Sequence, residues 1–421
     1  MDILVVGNGG REHAIIKKLI ESPLCGKVYA AKGNAGIGEI AELVDIDPCD
    51  IKGIVEFVNE HKNIELTVVA PDDPLALGLV DELEKAGHRA FGPTAAAAVI
   101  EASKCFSKQM MKDYNIPTAS AESFDDYEEA LKYVKGQEYP LVIKADGLAL
   151  GKGVVICEDF ESAETALKDM MIGGAFGKAG SKVVIEEFLV GKEVSVLTFT
   201  DGKTIYPMVS SCDHKRALDG DKGLNTGGMG TIAPAPFYTA ELQSEVMQNI
   251  LLPTVKAMNE LGRTFKGVLY FGLIVTDKGV KVIEYNARFG DPETQVVLPL
   301  LKSDLIEIFE AIIDNRLSEV KIEWKDEAAV CVMLCSGGYP KNYEKGKVVS
   351  IGKVKENVTL YHSGTKISDG ATVTNGGRVI GVTAVSESLS KARNDAYEAV
   401  KAVSFDKMHY RKDIGDKYIK G

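Results

Sequence analysis

The chain has 421 residues, of which 45% are hydrophobic and 26% are charged, and its formal net charge is −12. This composition is typical of globular proteins, and the length allows roughly two to four domains with cores of their own. The excess of acidic residues argues against non-specific binding to nucleic acid or to a membrane surface, both of which attract basic proteins.

No stretch of the sequence is apolar enough to cross a bilayer, and no basic segment ahead of an apolar core marks a secretory signal peptide. The seven cysteines are scattered, and no Cys or His pair has the spacing of a zinc finger. This pattern favours buried free thiols over a disulfide or a metal site. We therefore expect a cytoplasmic protein.

Residues 1–100 alternate between apolar runs typical of strands and amphipathic runs typical of helices. The predicted strands are Ile3–Val6, Lys27–Ala31 and Leu66–Ala70, and the predicted helices are Glu12–Glu21, Asp50–His61 and Pro74–Ala86. This alternation predicts an open parallel sheet, in which ligands bind beyond the carboxyl ends of the strands. The segments Gly7–Arg11 and Pro71–Asp73 follow the first and third strands and are candidates for ligand contact.

A helix over Thr94–Tyr114 is predicted to lead into a second domain, residues 101–325, which includes a smaller subdomain at about 120–190. Short strands and glycine-rich turns dominate here. The predicted strands are Leu141–Lys144, Gly153–Cys157, Val183–Glu187, Gly267–Thr276 and Val280–Tyr285, and the predicted helices are Ser162–Met171, Glu241–Leu261 and Asp304–Asn315. The mixture predicts an α+β domain.

Residues 326–421 form a third predicted domain that is rich in strands. The predicted strands are Ala328–Cys335, Lys347–Val349, Thr359–Ser363 and Val379–Val385, followed by a helix over Ser388–Val403. The predicted fold class is therefore a multidomain α/β and α+β protein, with an open parallel α/β domain first and a β-rich domain last.

The opening turn, "GNGGREHA" from Gly7, joins a strand to a helix as a nucleotide-binding loop does. A dinucleotide fingerprint needs Gly-x-Gly-x-x-Gly and an acidic residue after the second strand. Here Glu12 takes the third glycine position and the second strand ends at Lys32, so both features argue against NAD. A helix N-terminus beside Arg11 instead suits a phosphate monoester, and a tight turn without a ligand is the alternative.

A second glycine-rich stretch, "VIKADGLALGKGVVI" from Val142, places Lys144 at a strand end and Lys152 after Gly151. Glycines let backbone N–H groups approach a polyphosphate, and lysines supply positive charge. No Gly-Lys-Ser/Thr sequence opens a helix here, which argues against a Walker A loop. The stretch predicts a hairpin that covers a nucleotide, or alternatively a hairpin with two exposed lysines.

Two further stretches carry acidic residues at strand ends. Glu186 and Glu187 end one strand, and Glu193 begins the next after a short apolar linker. Such a linker can hold an adenine and a carboxylate beyond it can bind ribose hydroxyls, although paired acids at a strand end are usually solvated. In "VIEYNARFGDPETQ", Glu284 and Asn286 share a strand face and suit Mg²⁺.

Arg288 is expected on that same face, where it could reach a phosphoryl group or a carboxylate, and the turn Gly290–Glu293 adds further acids. A polar edge strand is the alternative. In "CDHKRALDGDKGLNTGGMG", Asp213–Arg216 precede a loop of four glycines that could bind a small carboxylate or phosphate. For His214, a solvated loop position is at least as well supported as a catalytic one.

The order of these motifs resembles the ATP-grasp superfamily. The strings that carry the closer resemblance are "GNGGREHA", "DHKR", "NTGGMG" and "EYNARFGDPETQ". They resemble the glycinamide ribonucleotide synthetase (phosphoribosylamine–glycine ligase) family, over essentially the full length. The resemblance implies an N-terminal α/β domain, an ATP-grasp core with a mobile lid, and a C-terminal β-rich domain.

The resemblance also implies a reaction, in which ATP converts glycine to glycyl phosphate and 5-phosphoribosylamine attacks it, the second step of purine biosynthesis. Mg²⁺ or Mn²⁺ is the implied cofactor, held by Glu284 and Asn286. The implied catalytic residues are Arg288, Asp213 and Lys215. The implied ATP ligands are Lys104, Lys144, Gly151, Lys152, Glu186, Glu187, Leu189 and Glu193. The implied ligands of phosphoribosylamine are Gly9, Gly10, Arg11, Asp72, His214, Arg216, Gly290, Asp291, Pro292 and Glu293.

The sequence departs from the family in one notable place, since Asp72 stands where the family usually has Glu. The domains that eukaryotic fusions append are not found, so we expect a stand-alone bacterial-type enzyme, a monomer or weak dimer. Three other functions stay open at this stage. They are another ATP-grasp ligase (biotin carboxylase-like, or a formate-dependent phosphoribosyl enzyme), a non-catalytic nucleotide sensor and, least supported, an NAD oxidoreductase.

Overall fold

The computed structural model describes residues 1–148, 153–174 and 180–419. Two predicted ATP ligands, Gly151 and Lys152, lie outside the described residues.

The N-terminal part is a parallel five-stranded sheet with helices packed against it. Its strands are β1 (Asp2–Gly7), β2 (Val28–Lys32), β3 (Glu42–Val44), β4 (Ile64–Val69) and β5 (Ala90–Phe91), in the order β3-β2-β1-β4-β5. Its helices are α1 (Gly10–Leu19), α2 (Ile51–Glu60), α3 (Asp72–Ala76), α4 (Leu79–Lys85) and α5 (Ala95–Ala102). The predicted parallel sheet is confirmed. Because β1 is central, its carboxyl end and that of β4 lie side by side.

Two helices that the sequence pattern predicts as continuous are each divided in the structure. The first breaks at Gly78, whose φ of 85° is left-handed, and so forms α3 and α4. The second breaks at Ser103, which is extended and accepts a hydrogen bond from the backbone N–H of Phe106 as an N-cap. Apolar periodicity does not report such a break, because it continues across it. The second break makes Lys104 the first residue of a new helix, α6 (Lys104–Asp113).

The next segment has an antiparallel four-stranded sheet with two helices. It contains β6 (Ala121–Phe124), α7 (Tyr127–Val134), β7 (Leu141–Ala145), β8 (Val154–Cys157), α8 (Phe160–Leu167) and β9 (Val183–Glu187), with strand order β6-β9-β7-β8. A π-helical turn, Lys168–Ile172, extends α8. The segment has its own apolar core, which includes Ile143, Leu167 and Val183. This small core lies within the segment for which a lid is predicted.

The central sheet, in the order β11-β10-β16-β17, is also antiparallel. The elements of this region, in chain order, are β10 (Lys192–Thr200), β11 (Ile205–Pro207), β12 (Cys212–Asp213), β13 (Arg216–Leu218), β14 (Lys222–Asn225), β15 (Gly230–Ala233), α9 (Ala240–Val246), α10 (Leu252–Glu260), β16 (Gly267–Thr276) and β17 (Gly279–Asn286). The predicted helix Glu241–Leu261 corresponds to α9 and α10, joined by a π-helical turn at Met247–Leu251.

The last part of the chain completes a five-stranded sheet. Its elements are α11 (Thr294–Val297), α12 (Leu305–Ile313), β18 (Ala328–Cys335), β19 (Ser350–Ile351), β20 (Val358–His362), β21 (Thr365–Ser368), β22 (Ala371–Thr374), β23 (Arg378–Ser386), α13 (Leu389–Val400), β24 (Val403–Ser404) and α14 (Asp416–Ile419). The sheet order is β12-β15-β18-β23-β20. Strands β12 and β15 therefore join this sheet although they precede the predicted boundary at residue 325. The predicted strand Lys347–Val349 was wrong: only Val348 forms an isolated bridge, to Val373.

The seven cysteines, all within the described ranges, are free, as predicted. Cys157, Cys212, Cys331 and Cys335 are buried, but Cys25 and Cys105 are only half-buried and Cys49 is exposed, so the prediction of burial was wrong for these three. Within the described ranges, no helix has the length and apolar character needed to span a membrane.

Two buried histidines join α1 to β20 across the first and last parts of the chain. The backbone N–H of His362 donates a hydrogen bond to Nδ1 of His13 at 2.9 Å, and the two rings are 5.8 Å apart. Burial lowers the pKa of His13 to about 3 and the pKa of His362 to about 4. Both side chains are therefore neutral in the folded protein near neutral pH.

We predict that acid destabilises the protein through these histidines. In the unfolded chain they bind protons below about pH 6.5, whereas in the folded protein they stay neutral to about pH 4, so stability falls as pH decreases through this window. The free energy of unfolding should fall by about 2 kcal/mol for each buried histidine between about pH 7 and pH 5. In His13→Asn, whose amide oxygen can accept the same bond, the fall measured by urea unfolding should be smaller by that amount. The same substitution at His88, which is only partly buried and whose pKa burial also lowers, should reduce the fall by less. An unchanged dependence in His13→Asn would contradict the prediction.

Candidate active site

The glycine turn between β1 and α1 is closed by Glu12. The carboxylate of Glu12, a buried side chain, accepts a hydrogen bond from the backbone N–H of Gly9 at 2.6 Å and pairs with the Arg11 guanidinium at 2.6 Å. A Cβ on Gly7, whose φ is +125°, would lie 2.6 Å from Cγ of Glu12. The glutamate therefore occupies the space below the turn, which explains why this position is not the third glycine of a dinucleotide fingerprint.

Arg288 lies at the meeting point of the N-terminal sheet and the central sheet. Its Nη2 is 2.8 Å from Glu101 at the end of α5, 3.8 Å from Asp72 at the start of α3, and 3.0 Å from Oδ1 of Asn286. The second oxygen of Glu101 accepts the backbone N–H of Ala287 at 2.7 Å. Within the described part of the chain, the buried Nε of Arg288 has no hydrogen-bond partner. A buried donor without a partner in the protein is suited to an anionic ligand.

Burial raises the pKa of Glu101, an effect that the Arg288 guanidinium opposes. Burial also acts to raise the pKa of Asp72, but the guanidinium groups of Arg288 and Arg11 outweigh it and the pKa is lowered. Strand β17 ends at Asn286, so Arg288 follows the strand in a bend rather than continuing its face, which differs from the expectation of strict alternation. The bend is what lets Arg288 reach back to α5.

A buried ion cluster, formed by Lys144, Lys108 and Glu186, lies between α6 and the four-stranded sheet β6-β9-β7-β8, which we call the small sheet. The same carboxylate oxygen of Glu186 lies 3.0 Å from Nζ of Lys144 and 3.2 Å from Nζ of Lys108. Burial lowers the pKa of Lys108 to about 8. The other oxygen of Glu186 is buried and has no partner among the described residues, so it can accept a hydrogen bond from a ligand.

The other two residues predicted around this linker have different surroundings. Glu187 lies on the outside, where it accepts hydrogen bonds from Lys281 at 2.7 Å and from the backbone N–H of Ser120 at 3.0 Å. These contacts do not favour the predicted role of Glu187 in binding ATP. Leu189 is half-buried in the linker between β9 and β10.

Lys215 bridges two carboxylates of the central sheet. We call the region lined by Lys144, Lys215, Glu284 and Arg288 the cleft. Its Nζ is 3.5 Å from Glu284 on β17 and 3.7 Å from Glu193 on β10. The Lys215 ammonium group holds the pKa of Glu284 at about 2, and Glu284 in turn raises the pKa of Lys215. Lys104, whose Nζ donates to the carbonyl of Gly147 at 2.7 Å, has a pKa lowered by burial. Glu284 is therefore ionised at neutral pH and faces positive groups.

Glu293, a buried residue, lies near the Lys215 bridge. Oε1 of Glu293 accepts hydrogen bonds from Tyr270 at 3.2 Å and from Ser195 at 3.4 Å. Burial, with Glu293 as a further contributor, raises the pKa of Asp213 well above its ordinary value. A Cβ on Gly228, whose φ is +113°, would lie 2.7 Å from Oδ1 of Asp213 and 2.5 Å from Cδ of Pro292. Only glycine fits this close approach, which places the glycine loop against the acidic turn.

Arg378 fastens that turn to the last sheet. From β23, its Nη1 donates to the carbonyl of Asp291 at 2.7 Å and its Nη2 is 3.3 Å from the Asp291 carboxylate. The other Asp291 oxygen accepts a hydrogen bond from Gln295 at 2.7 Å. Asp291 therefore makes contacts within the protein through both carboxylate oxygens, and the turn is rigidly placed.

The remaining two residues of the Asp213–Arg216 stretch point away from the cleft. Both ring nitrogens of the buried His214 have partners, since Nδ1 is 3.2 Å from the carbonyl of Gly230 and Nε2 accepts from the backbone N–H of Gly415 at 3.2 Å. The latter bond makes Nε2 the unprotonated nitrogen, so Nδ1 donates. Arg216 donates to the carbonyl of Gly223 at 2.9 Å and closes the β13–β14 hairpin. These contacts do not favour the predicted substrate contacts of either side chain.

The cleft fits a divalent cation that a ligand helps to hold. Within residues 1–148, 153–174 and 180–419, no three His, Cys, Asp or Glu side chains are grouped as a complete metal site. Glu284 and Asn286 share one face of β17 and supply an ionised carboxylate and an amide oxygen. Two such oxygens suit Mg²⁺ when phosphate oxygens and water supply the rest.

Three consecutive segments of the chain match the family models of phosphoribosylglycinamide synthetase. Residues 1–101 match the N domain, residues 102–294 the ATP-grasp (A) domain and residues 329–417 the C domain. The chain belongs to the phosphoribosylglycinamide synthetase family.

Members of this family are similar to the chain over their whole length. A phosphoribosylamine–glycine ligase from Caldanaerobacter subterraneus subsp. tengcongensis is 49% identical, covering 99% of this chain and all of the relative. Another from Brucella melitensis is 47% identical, covering 99% of this chain and 97% of the relative. The crystal structure of a phosphoribosylamine–glycine ligase from Thermotoga maritima has a TM-score of 0.83 at 33% identity, covering 98% of this chain and all of that one.

The fold itself is shared more widely. The biotin carboxylase domain of a 2-oxoglutarate carboxylase from Hydrogenobacter thermophilus has a TM-score of 0.74 at 17% identity, covering 97% of this chain and 91% of that one. The N-terminal sheet, ATP-grasp core and strand-rich C-terminal part therefore form an architecture that the phosphoribosylglycinamide synthetase family shares with other enzymes.

Sequence reasoning missed three charged residues of this family member's cleft, namely Glu101, Lys108 and Arg378. Glu101 and Lys108 lie in helices that are predicted only from apolar spacing, and Arg378 begins a strand assigned to another domain. Charged residues in helices and at strand ends are usually solvated, so the sequence offered no signal that distinguishes these three. The contacts that define them join positions far apart in the chain.

We predict that Glu101→Gln destabilises the protein by about 2 to 3 kcal/mol, because it removes a charged partner from the partly buried Arg288. Urea unfolding at neutral pH measures the change. Asp314→Asn is the matched control, since Asp314 pairs with Arg89 at 2.9 Å but both side chains are substantially exposed, at 33% and 40%. It should cost less than about 1 kcal/mol. If the two variants lost equal free energy of unfolding, the contact of Glu101 with Arg288 would stabilise the protein no more than a surface ion pair, and the prediction would be wrong.

Proposed function

We propose that this chain joins glycine to 5-phosphoribosylamine at the expense of ATP, giving glycinamide ribonucleotide, ADP and phosphate. The observation that carries the proposal is the convergence of Lys144, Lys215 and Arg288 on one cleft beside the ionised Glu284, in a member of this family. Positive groups around a carboxylate–amide pair suit phosphoryl transfer, for which positioning and charge neutralisation supply most of the rate enhancement.

The nucleotide is proposed to bind between the small sheet and the central sheet. The unpartnered oxygen of Glu186 is suited to accept from an adenine amino group, and the apolar linker to Leu189 is suited to cover the ring. Glu193, at the start of β10, is suited to the ribose hydroxyls. Lys144 and Lys104 would hold phosphate oxygens. Lys108 helps to hold Lys144 and Glu186 in place, because it contacts the same carboxylate oxygen of Glu186 as Lys144 does.

Glu284 and Asn286 would hold Mg²⁺, or Mn²⁺ in its place, and the ion would supply charge neutralisation at the phosphate oxygens of ATP. Asn286 accepts a hydrogen bond from Arg288 at 3.0 Å, which turns its oxygen toward the cleft's positive groups. The protein's part is to keep Glu284 ionised and in place, and the Lys215 ammonium group does this by lowering the Glu284 pKa.

The chemistry follows from the weak reactivity of a carboxylate. A glycine carboxylate oxygen attacks the γ-phosphorus of ATP, the bond to ADP breaks, and glycyl phosphate forms. The amine of phosphoribosylamine then attacks the acyl carbon, phosphate leaves with that carboxylate oxygen, and the amine loses a proton. Arg288 and Lys215 are proposed to stabilise the transferring phosphoryl group, and Asp213, whose pKa is raised, is proposed to act on the acceptor substrate.

The sugar phosphate is proposed to lie at the N-terminus of α1, across Gly9 and Gly10, with Asp72 and the turn Gly290–Glu293 nearby. Arg11 is already paired with Glu12 and also donates to the carbonyl of Phe289 at 3.3 Å, so its role includes joining the turn to the central sheet. Exclusion of water by a closing lid would protect glycyl phosphate from hydrolysis.

Replacing Glu284 with Gln should lower kcat by at least about 100-fold while the protein stays folded, because an ionised oxygen is lost from the phosphoryl-transfer site. Release of ADP in the presence of glycine, phosphoribosylamine and Mg²⁺ measures kcat, and circular dichroism reports folding. Glu245→Gln is the control, since Glu245 accepts the backbone N–H of Val280 at the other end of β17. Near-normal turnover by Glu284→Gln would remove Glu284 from the proposed metal site.

ADP release should require both glycine and phosphoribosylamine. With glycine labelled by ¹⁸O in its carboxylate, the released phosphate should carry one ¹⁸O atom, because glycyl phosphate passes that oxygen on. Mass spectrometry of the phosphate measures the transfer. ADP release that proceeds with bicarbonate or formate instead of glycine would identify a different ATP-grasp ligase, and ATP binding without any turnover would identify a nucleotide sensor.

A further inference from the structure

The C-terminal segment of the chain, residues 409–418, lies along the β13–β14 hairpin that directly follows Lys215. We call this segment the C-terminal strap. Its backbone and side chains contact the hairpin at successive points: His409 to the carbonyl of Ala217 at 2.8 Å, the N–H of Lys412 to Asp219 at 2.8 Å, Asp413 from the N–H of Gly220 at 2.8 Å, and Lys417 to Asp221 at 3.2 Å. One segment thus binds the first strand and the turn of the hairpin.

Arg411 is at the centre of the strap and is 1% exposed. One Nη donates to the Asp221 carboxylate at 2.8 Å and to the carbonyl of Arg216 at 3.1 Å, both on the hairpin. Its Nε and other Nη donate to the two carboxylate oxygens of Asp413, each at 2.8 Å. A planar guanidinium can satisfy all these acceptors at once, which an ammonium cannot.

The strap is anchored on its other side by α13. Tyr397 donates to the carbonyl of Arg411 at 2.8 Å, and Arg393 donates to the carbonyls of Lys412 and Ile414 at 2.8 and 2.9 Å. The hairpin, by contrast, has little support of its own: it is a separate two-stranded sheet, and all four residues of β14 are exposed. Isolated two-stranded hairpins are at best marginally stable in water.

The hairpin and Lys215 are directly connected. Arg216 is the first residue of β13, and the carbonyl of Lys215 accepts hydrogen bonds from both the N–H and the hydroxyl of Thr226, each at 2.8 Å, where the hairpin returns to the cleft. The backbone position of Lys215 therefore depends on the hairpin, and the hairpin depends on Arg411. His214 adds a second connection through the N–H of Gly415.

We propose that Arg411 is a positioning residue for Lys215: it fixes the β13–β14 hairpin and so holds the Lys215 ammonium group between Glu193 and Glu284. The inference rests on the proposed function, in which Lys215 acts on the transferring phosphoryl group. Among the described residues, the hydrogen-bond partners of the Arg411 side chain are Arg216, Asp221 and Asp413, which lie outside the cleft. The C-terminal strap thereby makes the last residues of the chain a working part of a site that lies about 200 positions earlier in the sequence.

The test compares Arg411→Gln with Asp395→Asn. Asp395 is buried on α13, the helix that also anchors the strap, but it accepts from Ser386 at 2.9 Å and Asn357 at 3.1 Å, outside the strap and the hairpin. Its replacement therefore controls for a loss of stability in this part of the protein. In Arg411→Gln, kcat should fall by roughly 10- to 100-fold, because a displacement of about 1 Å at a catalytic group has an effect of that size. KM for ATP should change less than kcat, since Glu193 and Glu284, the proposed nucleotide and metal ligands that pair with Lys215, are held by β10 and β17 rather than by the hairpin.

Amide hydrogen exchange over residues 216–225 should become faster in Arg411→Gln and stay unchanged in Asp395→Asn. If Arg411→Gln does not fold, Arg411→Lys and Asp221→Asn replace it. Asp221→Asn removes the hairpin carboxylate that Arg411 and Lys417 contact but keeps the bond from Arg411 to the carbonyl of Arg216, so it should give the same effect to a smaller extent. Normal kcat in these variants, or a loss of kcat no larger than that of Asp395→Asn, would overturn the inference. A Lys215→Met enzyme separates the two proposals: full activity there would refute the proposed role of Lys215, whereas inactivity there with normal Arg411 variants would refute only the strap.

Discussion

The pairing of Arg288 with Glu101 and Asp72 is the interaction on which the rest of the site depends. A guanidinium taken out of water is costly unless carboxylates and hydrogen bonds compensate it. Here the compensation comes from two helices of the N-terminal domain, while Arg288 itself follows a strand of the ATP-grasp core. The need to pair this charge therefore fixes the two domains against each other. It also leaves one buried donor, Nε, without a partner among the described residues.

The same principle extends through the cleft, where cations and anions alternate. Lys108 and Lys144 share Glu186, and Lys215 lies between Glu193 and Glu284. Lys108, Lys144 and Glu186 are buried and are stabilised by neighbours of opposite charge, whereas Lys215, Glu193 and Glu284 are partly exposed to water. The pKa values of Glu284 and Lys215 nevertheless move apart, so both groups stay ionised. Such an arrangement is preorganised for a polyphosphate, because little rearrangement is needed when the ligand's charges arrive.

The division into domains along the chain is not the division in space. Strands β12 and β15, which flank the hairpin and the glycine loop, belong to the sheet of the C-terminal part, and Arg378 and the C-terminal strap hold that region from the same side. The segment Asp213–Arg216 is consequently positioned by residues that follow it by more than 150 positions. A composition change near residue 325 cannot reveal this, because strand pairing between distant segments leaves no local mark on the sequence.

The sequence by itself determined the parallel N-terminal sheet, the family, and the acidic, basic and glycine residues from which the site is proposed to be built, because strand–helix alternation and short motifs are local properties. Only the tertiary structure decided what each residue contacts. In the folded protein Glu187 lies on the outside, both ring nitrogens of His214 are hydrogen-bonded to Gly230 and Gly415, and Glu12 lies beneath the opening glycine turn. The tertiary structure also brought in Glu101, Lys108, Arg378 and Arg411, whose neighbours are distant in the chain. The physical reason is that burial and charge pairing are set by proximity in space, which residue type and spacing do not encode.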